Sequence, residues 1–389
     1  MPRYRCAILD DYQKVALSVA DWSKVSGDLD IKVFNAHLGG TDKVIAALEE
    51  FDIVCAMRER TAFPRGVIEK LPQLKLLITT GLRNASIDIA AAKERGIVVC
   101  GTPSVGNPTS GIAIGLMLEL TRRIGHENAR MKAGVPWQTT IGMDLEGLTL
   151  GVLGLGKLGT RTARIAQAFG MKVIAWSQNL TPEKCKEIGV GYVGTEDLFR
   201  QSDIITIHVV LSQRTRGLIG AKELGLMKPT AYIVNTSRGP IIEEAALLSA
   251  LRENKIAGAG LDVFDVEPLP VDHPLRSMDN VVLTPHLGYV SIQNYRAYFA
   301  GVVEDIRAFL DGKPVRVIDY RDRSSQRAIA EGGGASGALV TDPLLGGTEG
   351  ATEVGAAGGA PAAAGGVAAA VAGGLPGSTT TRVPTLTRV

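Results

Sequence analysis

Residues 152–159 read Val-Leu-Gly-Leu-Gly-Lys-Leu-Gly, and their flanks constrain the fold as much as their content does. Gly154, Gly156 and Gly159 fit G-x-G-x-x-G. The apolar run before them (Leu148 to Leu153) predicts a strand, and the run after them (Lys157 to Phe169) predicts a helix. In such a unit the first glycine permits the tight turn and the second lets backbone approach a pyrophosphate. The third lets helix and strand pack closely, so that the helix N-terminus faces the anion. The pattern therefore predicts a dinucleotide held by Gly154, Gly156, Lys157, Leu158 and Gly159. It begins well inside a chain of 389 residues, so another unit folds ahead of it.

Short apolar runs alternate with helical patterns on both sides of the glycines. Before them, strands are predicted at Cys6 to Leu9, Ile31 to Phe34, Ile53 to Met57, Leu74 to Ile78 and Ile97 to Val99. Helices are predicted at Gln13 to Val19, Lys43 to Glu50, Val67 to Lys70 and Ile89 to Glu94. After them, strands are predicted at Lys172 to Trp176, Ile204 to His208, Tyr232 to Asn235, Gly258 to Asp262 and Val281 to Thr284. This alternation predicts an α/β protein with two doubly wound parallel sheets, each covered by helices on both faces. The apolar helix expected over Ile112 to Leu120 suits a crossing between the two. The helical pattern from Ser291 to Leu310 and the run Val315 to Ile318 read as a return. Residues 1–102 and 291–320 are thus expected to form one discontinuous domain and residues 103–290 the dinucleotide domain, with a ligand cleft between them. From Arg321 to residue 389 there is no aromatic residue and no lysine, and Gly and Ala dominate. Such a segment cannot bury enough apolar surface to offset its ordering entropy and is expected to be disordered.

Composition narrows the class of protein. The net charge is +2, from 42 basic and 40 acidic residues, with no basic block interleaved with aromatics. A nucleic-acid or membrane-surface partner is not expected. Cys6, Cys55, Cys100 and Cys185 are scattered without C-x-x-C spacing, and three lie in apolar strand-like runs; they read as buried free thiols in a reducing compartment. The chain enters a strand without a charged segment followed by an apolar one, and no apolar run reaches the roughly 18–20 residues of a membrane span. A cytoplasmic protein is expected.

Three ionisable residues stand at or just past predicted strand ends: Arg238 in Asn-Thr-Ser-Arg-Gly, Glu267 in Asp-Val-Glu-Pro and His286 in Thr-Pro-His-Leu-Gly. In an open α/β sheet all three overhang the edge that holds the dinucleotide. Taken singly, Arg238 reads as a surface or ion-pair residue, Glu267 as a solvated loop acid and His286 as a satisfied loop histidine. Together they suit one reaction. Arginine offers forked donors to a carboxylate, histidine titrates near ~6.5 and exchanges a proton with a hydroxyl, and an adjacent carboxylate fixes its tautomer.

These segments, with Gly154 to Gly159 and Leu-Asp-Val-Phe-Asp-Val-Glu-Pro at 261–268, resemble the D-isomer-specific 2-hydroxyacid dehydrogenase family in content, order and spacing over about residues 1–320. The resemblance implies a flavodoxin-like substrate domain and a Rossmann cofactor domain. It implies that Arg238 binds the substrate carboxylate and keto oxygen, that His286 is the acid–base group and that Glu267 pairs with it. Asp262 is implied to face the nicotinamide end, and Thr236 and Arg238 to line the cofactor. The turn Thr80-Gly81-Leu82 is implied to present backbone N–H groups to the carboxylate. The family suggests a small 2-oxo acid such as glyoxylate or hydroxypyruvate, or a phosphoglycerate dehydrogenase-like activity, and a homodimer to which Ile112 to Leu120 contributes unless it packs within its own domain. Formate is disfavoured, because formate dehydrogenases of this superfamily carry Gln where Glu267 stands. The alternative reading is an NADH-sensing, corepressor-like scaffold without turnover.

The chain departs from the pattern at the ribose. An acid is expected about 20 residues past the first glycine, but the next strand ends Trp176-Ser-Gln-Asn179. Ser177 is the expected ribose neighbour, NAD is the expected cofactor and NADP is admissible. His208 reads as lining the site or as a core residue, and His37, His126 and His273 as structural or exposed. Arg58 and Arg60 read as surface ion pairs or cleft-edge residues. No Cys/His/Asp cluster has metal spacing, so no metal is expected.

Overall fold

A computed structural model describes residues 3–319. The segment from Arg321, expected to be disordered, lies outside the described residues. Five strands form the first sheet: β1 (Tyr4–Ile8), β2 (Leu29–Val33), β3 (Ile53–Ala56), β4 (Leu76–Thr79) and β5 (Val98–Gly101), ordered β2-β1-β3-β4-β5. All pairings are parallel. Successive residues point to opposite faces, so Ile53, Cys55, Leu76 and Ile78 join one core while Val54, Ala56 and Leu77 join the other. The first core is closed by the helix Ile292–Leu310, which buries Tyr295, Tyr298, Phe299, Val302 and Ile306. The helices Thr41–Leu48, Arg65–Ile68 and Ile89–Glu94 close the second.

Seven strands form the second sheet: β6 (Thr149–Leu153), β7 (Lys172–Trp176), β8 (Gly191–Tyr192), β9 (Ile204–Ile207), β10 (Tyr232–Asn235), β11 (Gly258–Leu261) and β12 (Val281–Leu283). Their order is β12-β11-β10-β9-β6-β7-β8, all parallel, so the winding reverses between β6 and β9. Ligands of open α/β sheets sit at the carboxyl ends beside such a reversal. The glycine turn follows β6 there. The helix Pro108–Arg122 covers one face of this sheet, burying Ile114, Leu116, Met117 and Leu120 against Leu150, Val152 and Val234. Ile112 to Leu120 thus packs against the second sheet.

One expected helix differs. Gln13 to Val19 is a series of turns rather than a helix, because the Asp11 carboxylate accepts the N–H groups of Val15 and Ala16 at 3.0 Å each and Lys14 is left-handed, with φ +57°. Tyr12 and Gln13 therefore stay in a loop at the sheet edge. Val315 to Ile318, the run read as a return, makes an isolated antiparallel bridge to the first sheet, Val317 with Cys100. All four cysteines are buried and free. Among the described residues no helix is long and apolar enough to cross a membrane.

Candidate active site

Both sheets turn their carboxyl edges toward one cleft. A cavity of about 540 Å³ lies there, lined by Tyr12, His37, Glu59 and Arg60 from the loops of the first sheet and by Glu267 and His286 from those of the second. That volume falls in the range of small-molecule sites.

His286 Nδ1 stands 2.7 Å from Glu267 Oε2. The same oxygen accepts a hydrogen bond from Arg60 Nη1 at 2.6 Å, and Glu267 Oε1 accepts the Phe264 N–H at 3.0 Å. Burial works to raise the Glu267 carboxyl, but the hydrogen bond and charge of His286, the Phe264 N–H and Arg60 outweigh it and hold the group down at about 2. Glu267 is therefore an anion at physiological pH. It holds Nδ1 as the protonated nitrogen and leaves Nε2 without a partner among the described residues.

The backbone of His286 is left-handed, with φ +53°. Asp262 holds it there. One Asp262 oxygen accepts from Thr284 Oγ1 at 2.6 Å and from the Leu287 N–H at 2.7 Å; the other accepts the Gly288 N–H at 2.8 Å. Burial pushes this carboxyl up, and those three bonds oppose the push. Asp262, implied by resemblance to face the nicotinamide, spends both oxygens on the His286 loop. Thr109 Oγ1 donates to Gly288 O at 2.7 Å, and Tyr289 stands edge-on to the imidazole with ring centres 5.6 Å apart.

Arg238 follows β10 in a turn fixed by Asn235, whose Oδ1 accepts the Ser237 N–H at 3.0 Å and whose Nδ2 donates to Arg238 O at 2.9 Å. Its Nη2 lies 3.4 Å from Glu59 Oε1 of the first sheet. The turn at Thr80 to Leu82 is less open than expected. Thr80 N–H donates to Ala56 O and Gly81 N–H to Thr102 Oγ1, each at 3.0 Å, and Arg58 Nη1 donates to Thr80 O at 3.2 Å. The turn thus offers the Leu82 N–H and a guanidinium, because the sheet and Thr102 consume the other two donors.

The glycine turn fits a dinucleotide. Gly154 has φ +102°, and a Cβ there would stand 2.9 Å from the backbone of His208 and Val209. A Cβ on Gly159 would stand 2.0 Å from Gly154 O, so helix and turn approach closely only without one. The helix Lys157–Ala168 starts at Gly156 with no side-chain cap, leaving its first N–H groups for an anion. Thr236 is buried with its hydroxyl unpartnered. A second cavity, of about 410 Å³, opens beside Gly154, Gly156, Trp176 and Ser177.

His208 lies beside this turn, its Nε2 3.0 Å from Thr206 Oγ1, and burial pushes its pKa down to about 4. A lowered pKa means the unfolded chain takes up the proton first, so stability present above pH ~6.5 is lost as pH falls toward 4. His208→Asn is expected to flatten this acid loss, read as a smaller fall in Tm between neutral pH and pH ~4.5. An unchanged fall overturns the assignment.

Of the remaining histidines, His37 lies 3.5 Å from Asp10 and lines the main cavity, which places it nearer the site than its sequence context indicated. His273 faces Glu244 at 3.3 Å and His126 faces Thr139 at 3.4 Å, away from the cavity. Sequence reasoning missed Tyr12, Glu59 and Tyr289. The available signal was the charged triplet Arg58-Glu59-Arg60 directly after a fully buried strand. Among the described residues no three His, Cys, Asp or Glu side chains converge to hold a metal ion.

The family model for the NAD-binding domain of D-isomer specific 2-hydroxyacid dehydrogenases matches residues 114–288. The glyoxylate reductase of Thermococcus litoralis is 40% identical over 256 residues, covering 64% of this chain and 77% of that protein. The hydroxypyruvate reductase of Blautia hydrogenotrophica is 33% identical over 316 residues, covering 75% and 96%. The chain belongs to the D-isomer-specific 2-hydroxyacid dehydrogenase family. A solved phosphoglycerate oxidoreductase from Vibrio cholerae superposes with a TM-score of 0.75 at 32% identity, covering 79% of this chain and 99% of that one. As a member of the 2-hydroxyacid dehydrogenases, the protein is an NAD(P)-dependent oxidoreductase acting on CH–OH groups. These relatives are enzymes, which does not favour the scaffold alternative.

Proposed function

We propose that this 2-hydroxyacid dehydrogenase reduces a small 2-oxo acid, with Arg238 binding the carboxylate and His286 donating a proton from Nε2 to the carbonyl oxygen. The observation that carries the reading is the His286–Glu267 pair at 2.7 Å, buttressed by Arg60 across the cleft. A nicotinamide dinucleotide held by Thr236 and the turn Gly154 to Gly159 would supply the hydride. Glu267 stabilises the imidazolium before transfer and keeps Nδ1 protonated after it. Asp262 positions the loop that carries His286, and Thr236 and Gly154 to Gly159 hold the dinucleotide. In the reverse direction His286 takes up the hydroxyl proton.

The substrate is small and carries no second anion. Glu59 lies 3.4 Å from Arg238 and 3.8 Å from Arg58, so a negative charge stands beside the arginine that takes the carboxylate. A phosphate on the substrate tail meets that charge at close range. On this reading glyoxylate and hydroxypyruvate are the expected substrates, and phosphohydroxypyruvate is the disfavoured one. A panel of 2-oxo acids run with both NADH and NADPH tests this: kcat/KM for glyoxylate or hydroxypyruvate is expected to exceed that for phosphohydroxypyruvate by about tenfold or more. The reverse order overturns the assignment.

The protein is further proposed to be a homodimer through residues 124–143, not through the buried face of Pro108–Arg122. Met131, Trp137 and Ile141 there are 61%, 69% and 101% exposed. Apolar exposure of this degree in one short segment supports an interaction surface there. Ile141→Asp is expected to shift the mass by light scattering from dimer toward monomer. A wild-type monomer contradicts the proposal.

A further inference from the structure

The ribose end of the cofactor site lacks the carboxylate that would accept from a 2′-hydroxyl. β7 ends at Trp176, and the next residues are Ser177, Gln178 and Asn179. The 410 Å³ cavity beside them is closed on its far side by the loop after β9, which brings in Ser212, Arg214 and Thr215. Among the described residues Arg214 is the one charged residue lining this cavity. It is exposed, and among the described residues it has no ion-pair or hydrogen-bond partner. Its loop is nevertheless fixed: Thr215 Oγ1 accepts the Ser212 N–H at 2.8 Å and donates to Val210 O at 2.7 Å. Lys184 and Lys186, the lysines that follow β7 in sequence, do not serve, since Lys184 is paired with Glu187 at 2.6 Å and neither lines the cavity.

We propose that this cavity takes the 2′-phosphate of NADP(H), with Arg214 as its charge partner and Ser177 and Gln178 as hydrogen-bond donors. The inference rests on the dinucleotide reading of the glycine turn. Two features of the cavity support it. No acid repels a phosphate, and the guanidinium stands on the loop after β9, across from the strand end where an acid or arginine is ordinarily sought. Valines 209 and 210 and Leu218 supply the apolar wall against which an adenine ring can lie.

The test is calorimetric titration of the full-length protein, at low salt, with 2′-phospho-ADP-ribose and with ADP-ribose. The two ligands share adenine and pyrophosphate, so general damage to the pocket weakens both and leaves their affinity ratio alone. The wild type is expected to prefer the 2′-phosphorylated ligand on the order of tenfold or more. Arg214→Ala is expected to bring the ratio close to one, and Gln178→Asp to invert it. The preference should shrink as salt is added. Equal wild-type affinities, or a ratio that survives Arg214→Ala, overturn the 2′-phosphate assignment and leave the dinucleotide site standing. Failure of both ligands to bind overturns the dinucleotide reading itself.

Discussion

His286→Ala is expected to lower kcat for 2-oxo acid reduction by roughly 100- to 10,000-fold while cofactor affinity stays within a small factor of wild type, because the loss removes proton transfer and little else. The imidazole makes its hydrogen bond to Glu267 and touches Tyr289, and neither belongs to the glycine turn. Removing it leaves Glu267 with Arg60 at 2.6 Å and the Phe264 N–H, so the carboxylate stays paired and the fold is retained. Dissociation constants from cofactor fluorescence, set beside steady-state rates, separate the two effects. A variant that turns over at the wild-type rate removes His286 from the mechanism. A variant that loses cofactor binding and turnover together makes it structural.

Arg238→Ala should cost about 2–5 kcal/mol in kcat/KM, roughly 30- to several-thousand-fold, because the substrate carboxylate loses its forked partner inside a partly desolvated cleft. Glu59 complicates the site in an informative way. With Arg238 gone, its carboxylate faces the bound anion with only Arg58 to offset it, so the loss should exceed that of a simple deletion. Arg238→Lys keeps the charge but not the fork and should fall between the two. Restoring part of the lost activity by adding Glu59→Gln to Arg238→Ala would support this arrangement. No rescue would place Glu59 outside the substrate's reach. Glu267, held at about 2, stays ionised above pH ~4.5 in both folded and unfolded chains, and its contribution to stability is lost only as pH falls through that interval.

Periodicity made most of the fold legible. Lys172–Trp176, Tyr232–Asn235 and Ile89–Glu94 stand where apolar spacing put them, because buried parallel strands and amphipathic helices write their period directly into the sequence. Gln13 to Val19 misled because its apolar spacing is helical while the decisive group, the Asp11 carboxylate, lies just outside it and captures the backbone donors a helix would use. The glycine turn and the trio Arg238, Glu267 and His286 were legible because each follows a strand whose carboxyl end is set by topology. The roles of Glu59 and Arg60 were not. Their partners, Arg238 and Glu267, stand 179 and 207 residues away, and no local pattern encodes a pairing across a cleft. Asp262 shows the same limit: its motif was visible, but its hold on residues 284–288 emerges only when β11 and β12 lie side by side.

The stereochemistry of the product tests hydride transfer to a 2-oxo acid most directly. Hydroxypyruvate and reduced cofactor, incubated with the full-length protein, are separated by chiral chromatography while cofactor oxidation is followed by absorbance. The expected product is D-glycerate, with one cofactor oxidised per molecule formed and no accumulation in His286→Ala. L-glycerate, a racemate, or tight cofactor binding with no product from any small 2-oxo acid would contradict it.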